Sequence, residues 1–498
     1  MERGNDALGA LLSRLTRPER DSKFSPGKSG SVVELTDNVL SQLPLHRRAE
    51  ALDRHLRSSG LLAKHPEIHR ERILEYKPQL LETARELLSL PTAGDAGKPA
   101  AVAIDLLGAQ YQIELAALRN GCRKRAPADL LGAYITAALD TLFESLLAYW
   151  QCQLPPPGHW WGEAHALYQL ACEKDIDAPG QAARDADALV LRAAYLKPQL
   201  LGQLNPARFR AAEIRQIAAF LERYADRAQL GKAEGLLCID PDSSRPPAYF
   251  SRQKSPQCWR LCVRGLVDAL DLDGGTEALL TPRLQRDLGR YWTKRQVRAE
   301  LHRRTTQRAV VTIGLEATHQ LLTGCEDDDL LQRPLAIDPS AVGSRCCESS
   351  LELLCVDRSS AGARFRATEA ALDMVLPGTF IGVHFDDEPS FQFGLIRWTR
   401  RDGDASLLAG TQWLPPVTQP CAVQRLDRQA VTPVLRAFLS GDPAGGGELF
   451  LPAGIFKPAD RVQIHTRNGQ CSAVLTALHE STFHIARFGI QVQGDHRG

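Results

Sequence analysis

Arg303-Arg304-Thr305-Thr306-Gln307-Arg308 runs directly into Ala309-Val310-Val311-Thr312-Ile313-Gly314-Leu315, and further along Leu351-Glu352-Leu353-Leu354-Cys355-Val356 runs into Asp357-Arg358-Ser359-Ser360-Ala361-Gly362. The β-branched residues after Arg308 read as one strand and the apolar run before Asp357 as another. The alternating Ala363-Arg364-Phe365-Arg366 reads as a third, so Asp357 to Gly362 sits at a strand-to-strand turn. R-x-x-x-R spacing alone says little in an arginine-rich chain, and it recurs at Arg286 with Arg290 and at Arg397 with Arg401. What sets Arg304 and Arg308 apart is their place, closing a basic amphipathic stretch at the head of a strand.

R-x-x-x-R followed by D-x-S-x-x-G resembles the signature of PilZ domains, small β-barrels that bind the bacterial second messenger cyclic di-GMP. The resemblance covers about residues 301–415 and includes strand order: 376–385, then 393–398, then 407–414, with Gly410 before the closing aromatic Trp413. Period-2 patterning supports a small antiparallel barrel independently. The resemblance implies a cyclic di-GMP site at Arg303, Arg304, Arg308, Asp357, Ser359 and Gly362. Arg304 and Arg308 would be its clamp, and Arg303 a further arginine of the kind that helps the family hold a stacked pair of ligands.

Those residue types suit that ligand. Guanidinium forks match phosphate oxygens and the O6/N7 edge of guanine with paired hydrogen bonds. Asp357 can accept from guanine N–H groups, Ser359 can bond a base edge or a phosphate, and Gly362 admits a backbone conformation closed to bulkier residues. Four residues apart, the arginines suit one side of a helical turn, or a loop that folds over the ligand when it binds. One departure stands out: the gap from Arg308 to Asp357 is longer than the family usually shows and holds Gly324-Cys325-Glu326-Asp327-Asp328-Asp329. An insertion between the first two strands accounts for it. Adjacent carboxylates do not surround a metal ion without other convergent groups, so this run reads as a solvated acidic loop.

At 498 residues with ordinary apolar content, the chain has room for several cores. A formal net charge of +1 argues against a nucleic-acid coat or a strongly membrane-attracted surface. The most hydrophobic helix candidate, residues 130–150, is interrupted by Asp140 and Glu144, so no membrane span is expected. The first residues do not read as a secretory signal. Twelve scattered cysteines without C-x-x-C pairs read as free thiols in a reducing, cytoplasmic setting, and no metal or cofactor is expected.

Apolar residues recur at helical spacing through most of the first 300 residues, and no family is recognised there. The repeated Lys-Pro-Gln-Leu-Leu at Lys77 and Lys197 reads as two helix starts with proline in the first turn, or as chance. The expected organisation is multidomain α+β: a flexible tail at 1–35, a helical domain at 36–153, a second helical region at 154–300, a PilZ-type antiparallel β-barrel at 301–415, and a C-terminal β-rich unit at 416–498. That last unit alternates like strands around Leu449, Val462, Val474 and Ile485, is open to a PilZ-like reading, and lacks the arginine and Asp/Ser motifs. His465, His479 and His484 have neither nucleophile nor Gly-rich loop beside them, so no enzyme is expected.

The expectation is therefore a cytoplasmic bacterial cyclic di-GMP receptor. Ligand would close residues 303–308 against the barrel, change the angle to the helical scaffold and alter contact with an unidentified protein partner. The family's outputs include motility, pilus function and biofilm formation. The competing expectation is a ligand-independent scaffold with a degenerate PilZ-like barrel.

Overall fold

The computed structural model describes residues between Leu40 and Gln493, apart from 60–65, 91–96, 250–257, 295–302, 325–329, 336–349, 427–432, 442–446 and some shorter breaks. The proposed tail at 1–35 and the acidic run at 326–329 lie outside the described residues. The architecture is α+β, with a helical N-terminal region followed by two antiparallel six-stranded barrels. The chain divides into two compact units, Met1–Pro206 with Ala211–Gln296, and Ala207–Arg210 with Val297–Gly498. The proline-rich run 155–158 joins two helices within the first unit.

The first unit contains α1 (Leu45–Ser59), α2 (Pro66–Ser89), α3 (Gly97–Arg123), α4 (Ala128–Gln151), α5 (Trp160–Glu173), α6 (Ala186–Gln203), α7 (Ala211–Tyr224), α8 (Arg264–Leu272) and α9 (Pro282–Thr293). Helices α3 and α4 are long and apolar enough to cross a membrane by length and composition alone, a test that buried core helices also pass. Their apolar windows are 56% and 72% buried within the protein. The charges that interrupt α4 are partnered: Asp140 receives Lys197 Nζ at 2.8 Å and Glu144 pairs with Arg85.

The Lys-Pro-Gln-Leu-Leu echo does not mark helix starts. Pro78 and Pro198 lie inside α2 and α6. What the copies share is a largely buried lysine reaching carboxylate: Lys77 meets Glu114 at 3.0 Å, as Lys197 meets Asp140 and Glu222, each at 2.8 Å. Burial of an ammonium is tolerated only with such partners.

This region is not wholly helical. Four strands, β1 (Gln229–Gly231), β2 (Leu237–Ile239), β3 (Ala248–Tyr249) and β4 (Trp259–Cys262), form a sheet in the order β1-β4-β2-β3. None is long enough to show a period in sequence. The sheet joins the helices through Trp259, whose ring meets edge-on the stacked pair Tyr168 and Tyr195, themselves 4.1 Å apart.

Beneath that stack His165 is fully buried, with Nδ1 2.9 Å from the Tyr195 hydroxyl, and burial pushes its pKa down to about 4. The unfolded imidazole titrates near 6.5, so between these values the unfolded chain binds the extra proton. Stability is complete above pH 6.5 and falls by roughly 3 kcal/mol as pH drops toward 4. The check is the urea midpoint of helix circular dichroism across that range. His165→Asn should flatten the pH slope, and an unchanged slope refutes the assignment.

The second unit begins with a closed barrel of β5 (Arg303–Ile313), β6 (Ser350–Ser359), β7 (Gly362–Thr368), β8 (Phe380–Phe385), β9 (Gln392–Arg401) and β10 (Ser406–Trp413), paired in the order β10-β7-β6-β5-β8-β9. A second closed barrel follows: β11 (Thr418–Arg425), β12 (Val434–Ser440), β13 (Glu448–Pro452), β14 (Arg461–Thr466), β15 (Gly469–Ser481) and β16 (Ile485–Val492), in the order β11-β12-β13-β16-β15-β14. Read around each closed ring from its first strand, the two orders are one permutation. The second barrel is thus a topological copy of the first.

The insertion after β5 contains a helix that the sequence did not announce, α10 (Leu315–Thr323), and its described part clasps the second barrel. His319 Nε2 lies 3.0 Å from the Cys421 carbonyl, while Leu330 and Leu335 pack on Ala422. Phe380 and Phe438 stack across the barrels at 4.6 Å, and the Arg397 guanidinium grips Glu480.

Candidate ligand-binding cleft

The segment 303–308 is neither a helical turn nor a loop. It is the first half of β5, hydrogen-bonded to β6 with an irregularity between Arg304 and Gln307. Its sequence is too polar for a period-2 pattern, and the neighbouring strand supplies the ladder that makes it a strand.

Cross-strand partners in an antiparallel ladder share a face. Arg303 lies opposite Arg358; Arg304 lies opposite Asp357, which lies opposite Arg364 on the third strand. Two charged rows result. In one, the nearly buried Asp357 carboxylate sits between guanidinium positions and pairs with Arg364. In the other, Arg303 and Arg358 are like charges directly opposed. Arg358 is steadied by the carboxylate of Glu388, at 2.5 and 3.0 Å, and that contact holds the Glu388 carboxyl below the ordinary carboxylate range.

A cleft of about 800 Å³ opens where β5 and β9 begin and β6 and β10 end, within the roughly 300–1,000 Å³ typical of small-molecule sites. Arg303, Arg304 and Arg358 supply its charge; Phe391, Phe393 and Trp413 supply flat apolar surface; Ser359, Ser360 and Gln392 supply further polar groups. No described lining residue is acidic. Such a wall suits an anion that carries aromatic rings.

Among the residues singled out in sequence, Arg303, Arg304 and Ser359 line this cleft, whereas Arg308, Asp357 and Gly362 are not among its lining residues. Arg308 is exposed four positions along β5. Ser359 shapes the β6–β7 turn, its Oγ accepting from Ala361 N–H at 3.2 Å, while its carbonyl accepts from Trp413 Nε1 at 3.2 Å. Gly362 is required for closeness: a Cβ there would lie 2.1 Å from the Thr411 carbonyl oxygen.

Sequence reasoning passed over Arg358, hidden as a variable position inside the Asp/Ser motif, and over Gln392 and Phe391. Trp413 was noted only as a strand-closing aromatic. The other R-x-x-x-R copies do different work: Arg286 and Arg290 ride on α9, and Arg397 ties the barrels together. The insertion leaves β5 after Ile313, at the far end of that strand from the arginines.

Residues 34–234 match the family model described as the N-terminal domain of the cyclic-di-GMP receptor FimW. That match lies in the helical region, where sequence reading recognised no family. The chain is also 22% identical over 449 residues to the cyclic-di-GMP receptor FimW of Pseudomonas aeruginosa, covering 73% of this chain and 73% of that protein. The similarity to a cyclic-di-GMP receptor therefore extends over most of the chain.

Proposed function

We propose that this protein is a cyclic di-GMP receptor whose first barrel, of PilZ type, binds the ligand in the cleft at the head of β5. The observation that carries the reading is the convergence of Arg303, Arg304 and three aromatic side chains on a wall with no acidic residue among its described lining, in a chain similar to a named cyclic-di-GMP receptor. Arg303 and Arg304 take the phosphates; Ser359 bonds a base edge or phosphate; Asp357 and Gly362 hold the turn beside them. Arg308, exposed farther along β5 and outside the cleft lining, adds only a peripheral positive charge.

Output passes to a protein partner through the helical region. In chain order β5 follows the helical region, so ligand held on its first residues biases the arrangement of the two. The ligand shifts that arrangement only as far as it prefers one state over the other. Control of motility, pili or biofilm in the bacterial cytoplasm is the corresponding cellular role. Isothermal titration of the full chain with cyclic di-GMP, with GMP as control, tests the reading. Saturable binding of the cyclic dinucleotide is expected; a folded protein that takes up no ligand refutes it and leaves an adaptor.

A further inference from the structure

We propose that Arg358 is a third recognition residue of the cleft, acting as a flat stacking platform for a purine base, with Glu388 and Gln392 as its positioning residues. The inference rests on the cyclic di-GMP reading and divides the labour within it: Arg303 and Arg304 meet phosphate, and Arg358 meets a base.

The geometry around Arg358 supports that division. Its guanidinium centre lies 4.0 Å from the Phe385 ring centroid, so one face of the plane is covered. Both terminal nitrogens donate to Glu388, Nη1 to Oε1 at 2.5 Å and Nη2 to Oε2 at 3.0 Å. Glu388 is itself fixed, accepting from Gln392 Nε2 at 3.2 Å and giving its backbone N–H to the Phe385 carbonyl at 3.0 Å. Arg358 lines the cleft and Glu388 does not.

The in-plane fork that would grip a phosphate is thus already engaged behind the wall. The second face of the plane stays open to a ligand, beside the N–H edge that Glu388 does not occupy. A guanidinium held flat between a phenyl ring and a base needs no displacement of Glu388, whereas a phosphate on the same fork would have to compete with that carboxylate. Arg303, directly opposite on β5 and exposed, is the charge better placed to meet a phosphate near this pair.

The test is isothermal titration of the full chain with cyclic di-GMP at two salt concentrations, for wild type, Arg358→Ala, Arg358→Lys and Glu388→Gln. Near-ultraviolet circular dichroism establishes that each variant is folded, and if Arg358→Ala is not, Arg358→Lys decides. A stacking platform predicts that lysine fails to rescue: both Arg358 variants lose about ten- to a hundredfold in affinity, and the salt dependence stays that of wild type. Glu388→Gln should show a smaller loss. Near-wild-type affinity in Arg358→Lys, or a shallower salt dependence in Arg358→Ala, overturns the platform. If the Arg303/Arg304 variants lose binding while both Arg358 variants keep it, this inference falls and the receptor reading stands. If wild type itself takes up no ligand, both fall.

Discussion

Alanine at Arg303 and Arg304 together is expected to weaken cyclic di-GMP binding by about two to four orders of magnitude. Each charge-assisted hydrogen bond contributes roughly 1.5–3 kcal/mol, and two are removed from a wall that no described acidic residue lines. The salt dependence should become shallower at the same time, because fewer phosphate charges are neutralised. The fold should survive, since both side chains are exposed and the backbone ladder to β6 is unchanged. Arg308→Ala is expected to lose much less, because Arg308 lies about 13 Å along the strand from Arg304 and outside the cleft lining. Titration calorimetry separates these cases. An Arg308 loss as large as that of the double variant would return the clamp to the Arg304/Arg308 pair and imply that β5 moves on binding.

Phe438→Ala should destabilise the barrel pair by about 3–5 kcal/mol, the usual range for emptying a buried aromatic site. Phe438 is fully buried, stacks on Phe380 at 4.6 Å, and meets Phe393 at 5.0 Å and His319 at 5.8 Å. Its neighbours Ala437 and Leu439 belong instead to the core of the second barrel, so the strand buries both faces. Truncation empties the join between the barrels and leaves the second barrel's interior intact. Hydrogen exchange should therefore rise first in α10 and β8 and along the outer face of β12. The urea midpoint gives the magnitude, and a loss under about 1 kcal/mol, typical of surface substitutions, would show that the join is not a cooperative core. Because Phe393 also lines the cleft, weaker ligand binding in this variant would mean that the join supports the cleft wall.

Sequence patterning was most informative where one side of a strand faced a core and the other did not. The first barrel alternates along Ala363, Phe365 and Ala367, and those positions are its interior. Strand β12 was not legible, because Val434-Leu435-Arg436-Ala437-Phe438-Leu439 has no polar face to alternate with. Strand β11 was hidden by Pro420, a residue that argues against a strand interior. It is accommodated where β11 pairs with β12 alone, since pairing with β14 begins only at Ala422. The short strands of the first unit carried too few residues for any period.

The candidate site was legible in part for a related reason. Arginine, aspartate, serine and glycine at fixed spacing can be read along a chain, and three of the residues so read, Arg303, Arg304 and Ser359, line the candidate cleft. Which of those residues share a cleft depends on register across strands. Arg358 joins Arg303 because β5 and β6 pair in one register; Phe391, Gln392 and Trp413 arrive from strands that meet them only when the barrel closes.

The amino-acid sequence by itself determined a helical first part, a β-rich second part and the position of an arginine-bearing strand, because burial on one face writes itself as periodicity. Only the tertiary structure decided that the second barrel copies the first in topology, that the insertion clasps the barrels away from the arginines, and that Arg303, Arg304 and Arg358 line one cleft. These outcomes depend on hydrogen-bond partners and packing faces supplied by residues distant in the chain, and such pairings leave no local period to read.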